Sequence, residues 1–213
     1  MSMQRNAIDS NPARSASYGA ARSSLRAIRG SSYPVIATEN LRLRAFGLAD
    51  IAPLVATANE HHVADTLLDF PCPFTATYAQ HWIKSHPAAW DARDSVHWAV
   101  SVLADDRFVG YTCLHNIDLE ERQAELTFWM GPGMGRVRYA AEAAQAALAF
   151  AFAELQIDRV CAFNLTRNLL AARVLSRIGM RQEGPLDQRV HGSDQYENVI
   201  VRGISRSDWL DSL

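Results

Sequence analysis

The protein is a chain of 213 residues, of which 48% are hydrophobic, and its formal net charge is −2. This length is enough for one α/β domain with an appendage, and the near-neutral charge gives no reason to expect a nucleic-acid partner. The three cysteines show no CxxC spacing, so we expect no disulfide framework, no metal site and a reduced, cytoplasmic setting. The longest apolar run, residues 143–152, is too short to span a bilayer, and no membrane association is expected.

Residues 1–36 differ in composition from the rest of the chain, because they are rich in Ser, Ala and Arg. We treat them as an N-terminal arm that precedes a domain at 37–213. Apolar residues between Tyr18 and Ile28 follow helical spacing. The pattern predicts a flexible arm whose short amphipathic helix docks on the body or on a second subunit. A transit peptide has a similar composition, and an interaction arm is the third alternative.

The remaining chain alternates between strand-like and helical patterns. Strands are predicted at Leu41–Arg44, His97–Leu103, Phe108–His115, Ala124–Met130, Val160–Leu165 and Val199–Ile204. Helices are predicted to begin at Asp50 and Thr77 and to span Tyr139–Leu155 and Leu169–Ile178, the last with Gly179 as its C-cap. The order β-α-α-β-β-β-loop-α-β-α-β predicts an α/β (α+β) fold with a mixed, mostly antiparallel central sheet flanked by helices on both faces.

A glycine-bearing loop at residues 131–135 joins a predicted strand to the alanine-rich helix. The first amides of a helix have no partner inside it, and the helix dipole favours negative charge there. A pyrophosphate would therefore suit the helix start at Arg138–Ala140. The loop is neither a dinucleotide fingerprint nor a P-loop, and a plain strand-to-helix turn is the simpler interpretation of the loop alone.

The segment Ala124–Glu142 reads Ala-Glu-Leu-Thr-Phe-Trp-Met-Gly-Pro … Arg-Tyr-Ala-Ala-Glu. It resembles the GNAT superfamily of N-acyltransferases, in particular the ribosomal-protein N-terminal (alanine/serine) acetyltransferase branch. That branch shows A-E-L/I-x-Y-W-L-G-P followed by W-G-R-G-Y-A-T-E-A. Further segments are similar and occur in the same order, at Leu41–Arg44, Asp69–Phe74, Trp82–Ile83, Gly110, Leu114–Asp118, Asn168, Arg173–Leu175, Ile178–Met180, Glu183–Gly184 and Asp208–Trp209. The resemblance covers residues 39–209 and implies a GNAT-type fold.

The resemblance implies an acetyl-CoA-dependent N-acetyltransferase. The acetyl group would move by direct attack to a primary amine, either a protein N-terminus or a small amine, without a metal. Acetyl-CoA would lie in a cleft between the fourth and fifth strands. The cofactor-binding residues that the resemblance implies are Phe128, Trp129, Met130, Gly135, Arg136, Val137, Arg138, Tyr139, Ala140, Asn168 and Arg173. Many relatives pair, so a homodimer is a further expectation.

Two residues are candidates for the catalytic proton transfer. Glu125 stands where the branch has its strand glutamate and could take the ammonium proton through water. Alternatively, it is a strand-end carboxylate paired with Arg122 or His115. His115, one strand earlier, could act as a base or orient the acceptor because histidine titrates near neutral pH. A structural histidine is the simpler interpretation.

The phosphate loop departs from the family pattern. The two family glycines fall at Arg136 and Arg138, or, after a shift of one residue, at Gly135 and Val137. Side chains at these positions either crowd the ligand, grip phosphate through guanidinium groups, or lie at the surface. All three alternatives are open from the sequence.

The proton donors of the family are also missing. The branch's serine falls at Ala171, and the tyrosine of many other GNAT enzymes falls at Leu175. Neither residue can protonate a departing thiolate. Besides the enzyme, two alternatives therefore remain: a catalytically silent binding or assembly module, and a transferase whose acyl donor is not CoA. Acceptor selectivity is expected in the loop after the first helix and near Val190–Tyr196.

Overall fold

The computed structural model of the protein describes residues 33–66, 70–133, 136–189 and 196–212. Several sequence predictions lie outside these residues. They are the helix in the N-terminal arm, Asp69 of the proline-aromatic loop, Gly135, and most of the proposed selectivity segment near Val190.

Eight strands form one sheet across the described residues. They are β1 (Ile36–Ala37), β2 (Leu41–Arg44), β3 (Val96–Val102), β4 (Phe108–Asp118), β5 (Gln123–Met130), β6 (Arg159–Leu165), β7 (Arg181–Arg189) and β8 (Tyr196–Ser205). Their spatial order is β1-β2-β3-β4-β5-β6-β8-β7. Only the β5–β6 pair is parallel within this sheet of described strands, and every other pair is antiparallel. The predicted mixed, mostly antiparallel sheet is confirmed.

Helices cover both faces of the sheet. They are α1 (Ile51–Ala58), α2 (His61–Ala64), α3 (Ala76–Asp91), α4 (Arg136–Ala153), α5 (Leu169–Arg177) and α6 (Arg206–Asp211). Apolar residues of α4, α5 and α6 form a large core on one face, and those of α1, α2 and α3 form a second core on the other. Within the described part of the chain, none of these helices is long and apolar enough to cross a membrane.

The starts of α1 and α3 differ from the predicted caps. Asp50 precedes α1, but its carboxylate accepts from the Gly47 amide and from the Arg44 guanidinium, each at 2.7 Å. The prediction that Asp50 caps the helix was therefore wrong, because the arginine and the turn amide compete successfully for the same oxygens. Helix α3 begins after Thr75, whose hydroxyl accepts from the Tyr78 amide at 3.2 Å.

The body of the fold includes the last residues assigned to the N-terminal arm. Ile36 is 2% exposed and pairs with Leu43 of β2. The Tyr33 hydroxyl donates to the His97 carbonyl at 2.7 Å, and the His97 amide contacts the same hydroxyl oxygen. Residues 33–36, which the composition groups with the N-terminal arm, therefore pack against the sheet.

Candidate active site

Strands β5 and β6 separate soon after they pair. Their register joins Gln123 to Arg159, Ala124 to Val160 and Glu125 to Cys161. Beyond Glu125 the two strands no longer pair, and a cavity of about 100 Å³ opens between them. Residues from both strands line it, including Phe128 of β5. The parallel pair thus ends in a gap with Glu125 at its closed end.

The polar main-chain groups of β5 face this gap at alternate residues. The Gly131 amide donates to the Val109 carbonyl of β4 at 2.9 Å. Main-chain groups of a strand point to its two neighbours alternately, so Trp129 also points its groups toward β4. Phe128 and Met130 then direct theirs toward β6, beyond the last residue at which β6 pairs. This edge can form hydrogen bonds with an extended ligand.

A second cavity of about 60 Å³ continues the gap toward the start of α4. Both cavities are bordered by Thr66, Phe128, Asn168 and Ala171. The predicted role of Asn168 is compatible with its other function as a helix cap, because its Oδ1 accepts from the Ala171 amide at 3.0 Å. The carbonyl half of the carboxamide serves the cap, and the NH2 half can serve a ligand. Thr66 was not predicted from the sequence, because it lies in a separate segment with no motif of its own.

The start of α4 brings some of the predicted phosphate-binding residues to the gap. Arg136 and Ala140 line the second cavity, together with Met130 and Trp129. Trp129 is 7% exposed, and its Nε1 has no hydrogen-bond partner among the described residues. Its ring packs against Phe108 and Tyr111 in the core on the α3 side, and a buried donor without a partner is costly.

Other predicted phosphate-binding side chains point elsewhere. The Arg138 guanidinium donates to Asn40 Oδ1 at 3.0 Å, which supports the surface alternative for this arginine. Tyr139 borders a different cavity with Arg107, and Val137 packs against the larger core. Their main-chain amides still belong to the first turn of α4, where helical amides have no partner within the helix.

Arg173 is exposed on α5 and does not line the gap.

In the described residues, no group of three or more His, Cys, Asp or Glu side chains could hold a metal ion.

Glu125 and His115 lie side by side on neighbouring strands. Asn116 donates its Nδ2 proton to Glu125 Oε1 at 3.0 Å, and His115 Nδ1 lies 3.9 Å from Glu125 Oε2. His115 Nε2 is 3.0 Å from the Thr127 hydroxyl. Both side chains are about three-quarters buried, at 27% and 26% exposure. The two catalytic candidates therefore occupy one site, and Glu125 has a fixed orientation within it.

Arg122 does not pair with Glu125, as one alternative suggested. Its guanidinium instead lies 2.9 Å from Asp158. Cys161, opposite Glu125 on β6, has a thiol whose pKa is raised to about 11 by burial and, secondarily, by the charge of Glu125. This thiol stays protonated at neutral pH and is a poor nucleophile.

A larger cavity, of about 400 Å³, reaches the same glutamate from the α3 side of the sheet. Its walls include Trp82 of α3 and Tyr111 of β4, with His97 of β3. The rings of Trp82 and Tyr111 meet at 5.3 Å, and His97 Nδ1 is hydrogen-bonded to the Tyr111 hydroxyl at 2.9 Å. Burial lowers the pKa of His97 to about 4, and the nearby His115 adds to the effect. Sequence reasoning did not identify this cavity.

Known proteins share this architecture. The acetyltransferase (GNAT) domain family matches residues 40–181. Two Bacillus subtilis (strain 168) proteins match in sequence. YdaF, described as a candidate ribosomal N-acetyltransferase, is 24% identical over 108 residues, 51% of this chain and 59% of YdaF. YnaD, an uncharacterized N-acetyltransferase, is 27% identical over 105 residues, 49% of this chain and 61% of YnaD. The chain thus spans about three-fifths of the length of these relatives.

Solved structures share the fold. Mycobacterium smegmatis RimJ, in complex with CoA-disulfide, has a TM-score of 0.67 at 20% identity and covers 81% of this chain and 88% of its own. Vibrio cholerae spermidine N-acetyltransferase, in complex with CoA and spermine, has a TM-score of 0.67 at 19% identity and covers 81% of this chain and 99% of its own. Since the family match spans more than half of the chain and the sheet carries the splayed parallel pair, the chain belongs to the GNAT family of N-acetyltransferases.

Proposed function

We propose that the protein transfers an acetyl group from acetyl-CoA to a primary amine by direct attack of the amine on the thioester. The observation that carries this proposal is the meeting of two openings at one carboxylate. The gap between β5 and β6 and the large α3-side cavity both include His115, Glu125 and Thr127 in their linings. A donor in the gap and an acceptor in the cavity would therefore meet at Glu125.

The gap can hold both the pantetheine arm and the pyrophosphate of acetyl-CoA. The main-chain groups of Met130 and the carbonyl of Phe128 can pair with the amides of a pantetheine arm, as in the addition of a strand to a sheet edge. The first-turn amides of α4 and the guanidinium of Arg136 suit the pyrophosphate. In this arrangement the side chain of Arg136 binds the phosphate, at a position where the family pattern has a glycine.

The chemical step needs one base and one oxyanion donor. Glu125 takes a proton from the acceptor ammonium, directly or through water, and the resulting amine attacks the thioester carbonyl. A main-chain amide facing the gap, such as that of Phe128, can hold the oxyanion. The C–N bond forms, the C–S bond breaks, the nitrogen loses its second proton to solvent, and CoA leaves as a thiolate.

The departing thiolate receives its proton from solvent in this proposal. Ala171 and Leu175 both border the gap and carry no exchangeable proton. The loss of a positioned acid costs about 10²-fold in rate, so we expect slow turnover compared with an enzyme that has the acid. An acyl-enzyme through Cys161 is disfavoured because the raised pKa keeps its thiol protonated.

Acetyl-CoA binding and turnover test the proposal directly. We expect calorimetry to detect acetyl-CoA binding and a thiol-release assay to detect CoA formation with a mixture of primary amines and short peptides. Arg136→Gln should weaken acetyl-CoA binding about 10-fold, because a charge-assisted phosphate contact is lost. Arg177→Gln, an exposed arginine on α5, is the matched control.

Two results would contradict the proposal. Binding without turnover for every amine would favour the silent binding module. Absence of acetyl-CoA binding, together with activity from another acyl carrier, would favour a different donor.

One sequence relative favours a ribosomal acceptor, since YdaF is described as a candidate ribosomal N-acetyltransferase. The shape and charge of the α3-side cavity lead to a different acceptor class.

A further inference from the structure

The α3-side cavity has walls made of aromatic rings. Phe70, Tyr78, Trp82 and Tyr111 all line it. Phe70 meets Trp82 at 5.4 Å and Tyr78 at 6.5 Å, both nearly perpendicular. Edge-to-face packing of this kind fixes each ring in position. The walls are therefore preorganised for an apolar group of about the size of a ring.

The described lining of the cavity carries carboxylates but no arginine or lysine. The carboxylates are Asp94 and Glu125, and His115 lies beside Glu125 with its Nδ1 3.9 Å from Oε2. His97 does not supply a positive charge at neutral pH, because burial lowers its pKa to about 4. Glu125 lies at the junction with the gap, and Asp94 is exposed at the rim. An ammonium group is favoured here, whereas a carboxylate would be buried without an arginine or lysine partner.

The polar side chains within the cavity are largely engaged with one another. Ser95 Oγ lies 2.9 Å from His97 Nε2, and His97 Nδ1 is bonded to Tyr111. Asn116 donates to Glu125. A peptide backbone placed among the rings would present amides that these side chains do not readily satisfy. A polyamine would place its further ammonium groups among the aromatic rings, where the described lining offers no carboxylate besides Glu125 and the exposed Asp94.

We infer that the acceptor is a small primary monoamine with an aromatic or similarly bulky apolar body and no carboxylate beside the amine. Its ammonium lies at Glu125, and its body packs against Trp82 and Tyr111. This inference rests on the proposed acetyl transfer and names the class of amine that receives the acetyl group.

An acceptor panel tests the inference with acetyl-CoA as donor and CoA thiol release as the signal. The panel contains 2-phenylethylamine, phenylalanine, methylamine, spermidine and a tripeptide that begins with phenylalanine. We expect kcat/KM for 2-phenylethylamine to exceed that for phenylalanine by about 10²-fold, because the carboxylate is left unpaired. It should exceed that for methylamine by at least about 10-fold, because the ring buries apolar surface.

Two variants of the wall and rim sharpen the test. Trp82→Ala should raise the KM for 2-phenylethylamine about 10-fold and leave acetyl-CoA binding unchanged. His81→Ala, an exposed neighbour on the same helix, is its control. Asp94→Lys places a cation at the exposed rim and should narrow the preference for 2-phenylethylamine over phenylalanine about 10-fold. This surface change keeps the test informative if the tryptophan variant fails to fold.

The outcomes separate this inference from the proposed function. Preference for spermidine or for the tripeptide overturns the inference and leaves acetyl transfer intact. Equal rates for 2-phenylethylamine and phenylalanine also overturn it. Acetyl-CoA binding without acetylation of any amine overturns both.

Discussion

The two faces of the sheet contact side chains of different sizes. On the α4 face, Ala143, Ala144, Ala147 and Ala151 are fully buried, so the helix backbone lies close to the strands. The α3 face instead holds large rings and two histidines, the buried His86 and the half-buried His97, whose rings stack at 4.3 Å. Small residues leave no space, whereas rings that meet edge to face leave a cavity. The centre of the α4 face is therefore closely packed, whereas the α3 face holds the large cavity proposed for the acceptor.

The largest effect on activity is expected at Glu125, which borders the cavity on the α3 face. Glu125→Gln keeps an oxygen for the Asn116 contact but removes the base, so we expect kcat to fall by about 10²- to 10⁴-fold. Acetyl-CoA affinity should not change, because the proposed donor contacts lie further along the gap. Steady-state kinetics with the best acceptor, together with calorimetry, measures both quantities. Glu121→Gln, on the exposed turn before β5, is the control. Unchanged turnover in Glu125→Gln would remove the carboxylate from the mechanism.

A change on the α4 face should affect stability without affecting the acceptor site. Ala147 is 0% exposed, and Ala147→Phe would overfill its contact with the sheet. We expect a loss of about 2–3 kcal/mol in the free energy of unfolding, measured by urea denaturation. Gln145→Phe introduces the same ring on the exposed side of α4 and should cost little. If Ala147→Phe and Gln145→Phe are equally stable, close packing against the sheet does not contribute to the stability of α4.

The smallest effect is expected at a histidine on the α3 face. His86 is 3% exposed, and neither ring nitrogen has a hydrogen-bond partner in the described part of the structure. Burial lowers the pKa of His86 to about 2, well below the unfolded value near 6.5. Its stabilising contribution is present above pH 6.5 and is lost as the pH falls, because the unfolded chain then binds a proton that the folded chain does not.

His86→Phe removes this proton uptake and the unpaired nitrogens. Between pH 7.5 and 5.0 the wild type should lose about 2 kcal/mol more stability than the variant. Urea denaturation at the two pH values gives the comparison. His81→Phe, at an exposed position of α3, provides the reference. If wild type and His86→Phe lose the same free energy of unfolding between these pH values, His86 takes up a proton in the folded protein as readily as in the unfolded chain.

Local patterns predicted six of the eight strands but missed two, the two-residue β1 and the longer β7. Strand β7 contains Gly184 and Pro185 among polar residues, which is a poor strand pattern. It forms nonetheless because it is the outermost strand, beside β8, and an edge strand tolerates proline. The identity of the outermost strand depends on tertiary order, which local spacing does not report.

The two sides of the candidate site were predictable to different degrees. Much of the proposed donor side lies in one contiguous segment from β5 to α4, so the resemblance could identify Glu125, Phe128 and Arg136 together. Thr66, which also borders both donor cavities, lies elsewhere in the chain and was not identified. The acceptor side joins Trp82 of α3 to Tyr111 of β4, and only the packing of helix on sheet brings them together. Arg138 also required the structure, because its partner Asn40 is remote in sequence.

The separation of β5 from β6 has a consequence for isotope exchange. The amides of Phe128 and Met130 face the gap, whereas the Gly131 amide is bonded to β4. Deuterium should therefore enter β5 in an alternating pattern, with neighbouring amides exchanging at different rates. A donor that pairs with this edge would slow exchange at the rapid positions alone. That change would reveal occupancy of the gap even when no acceptor is present and no bond is broken.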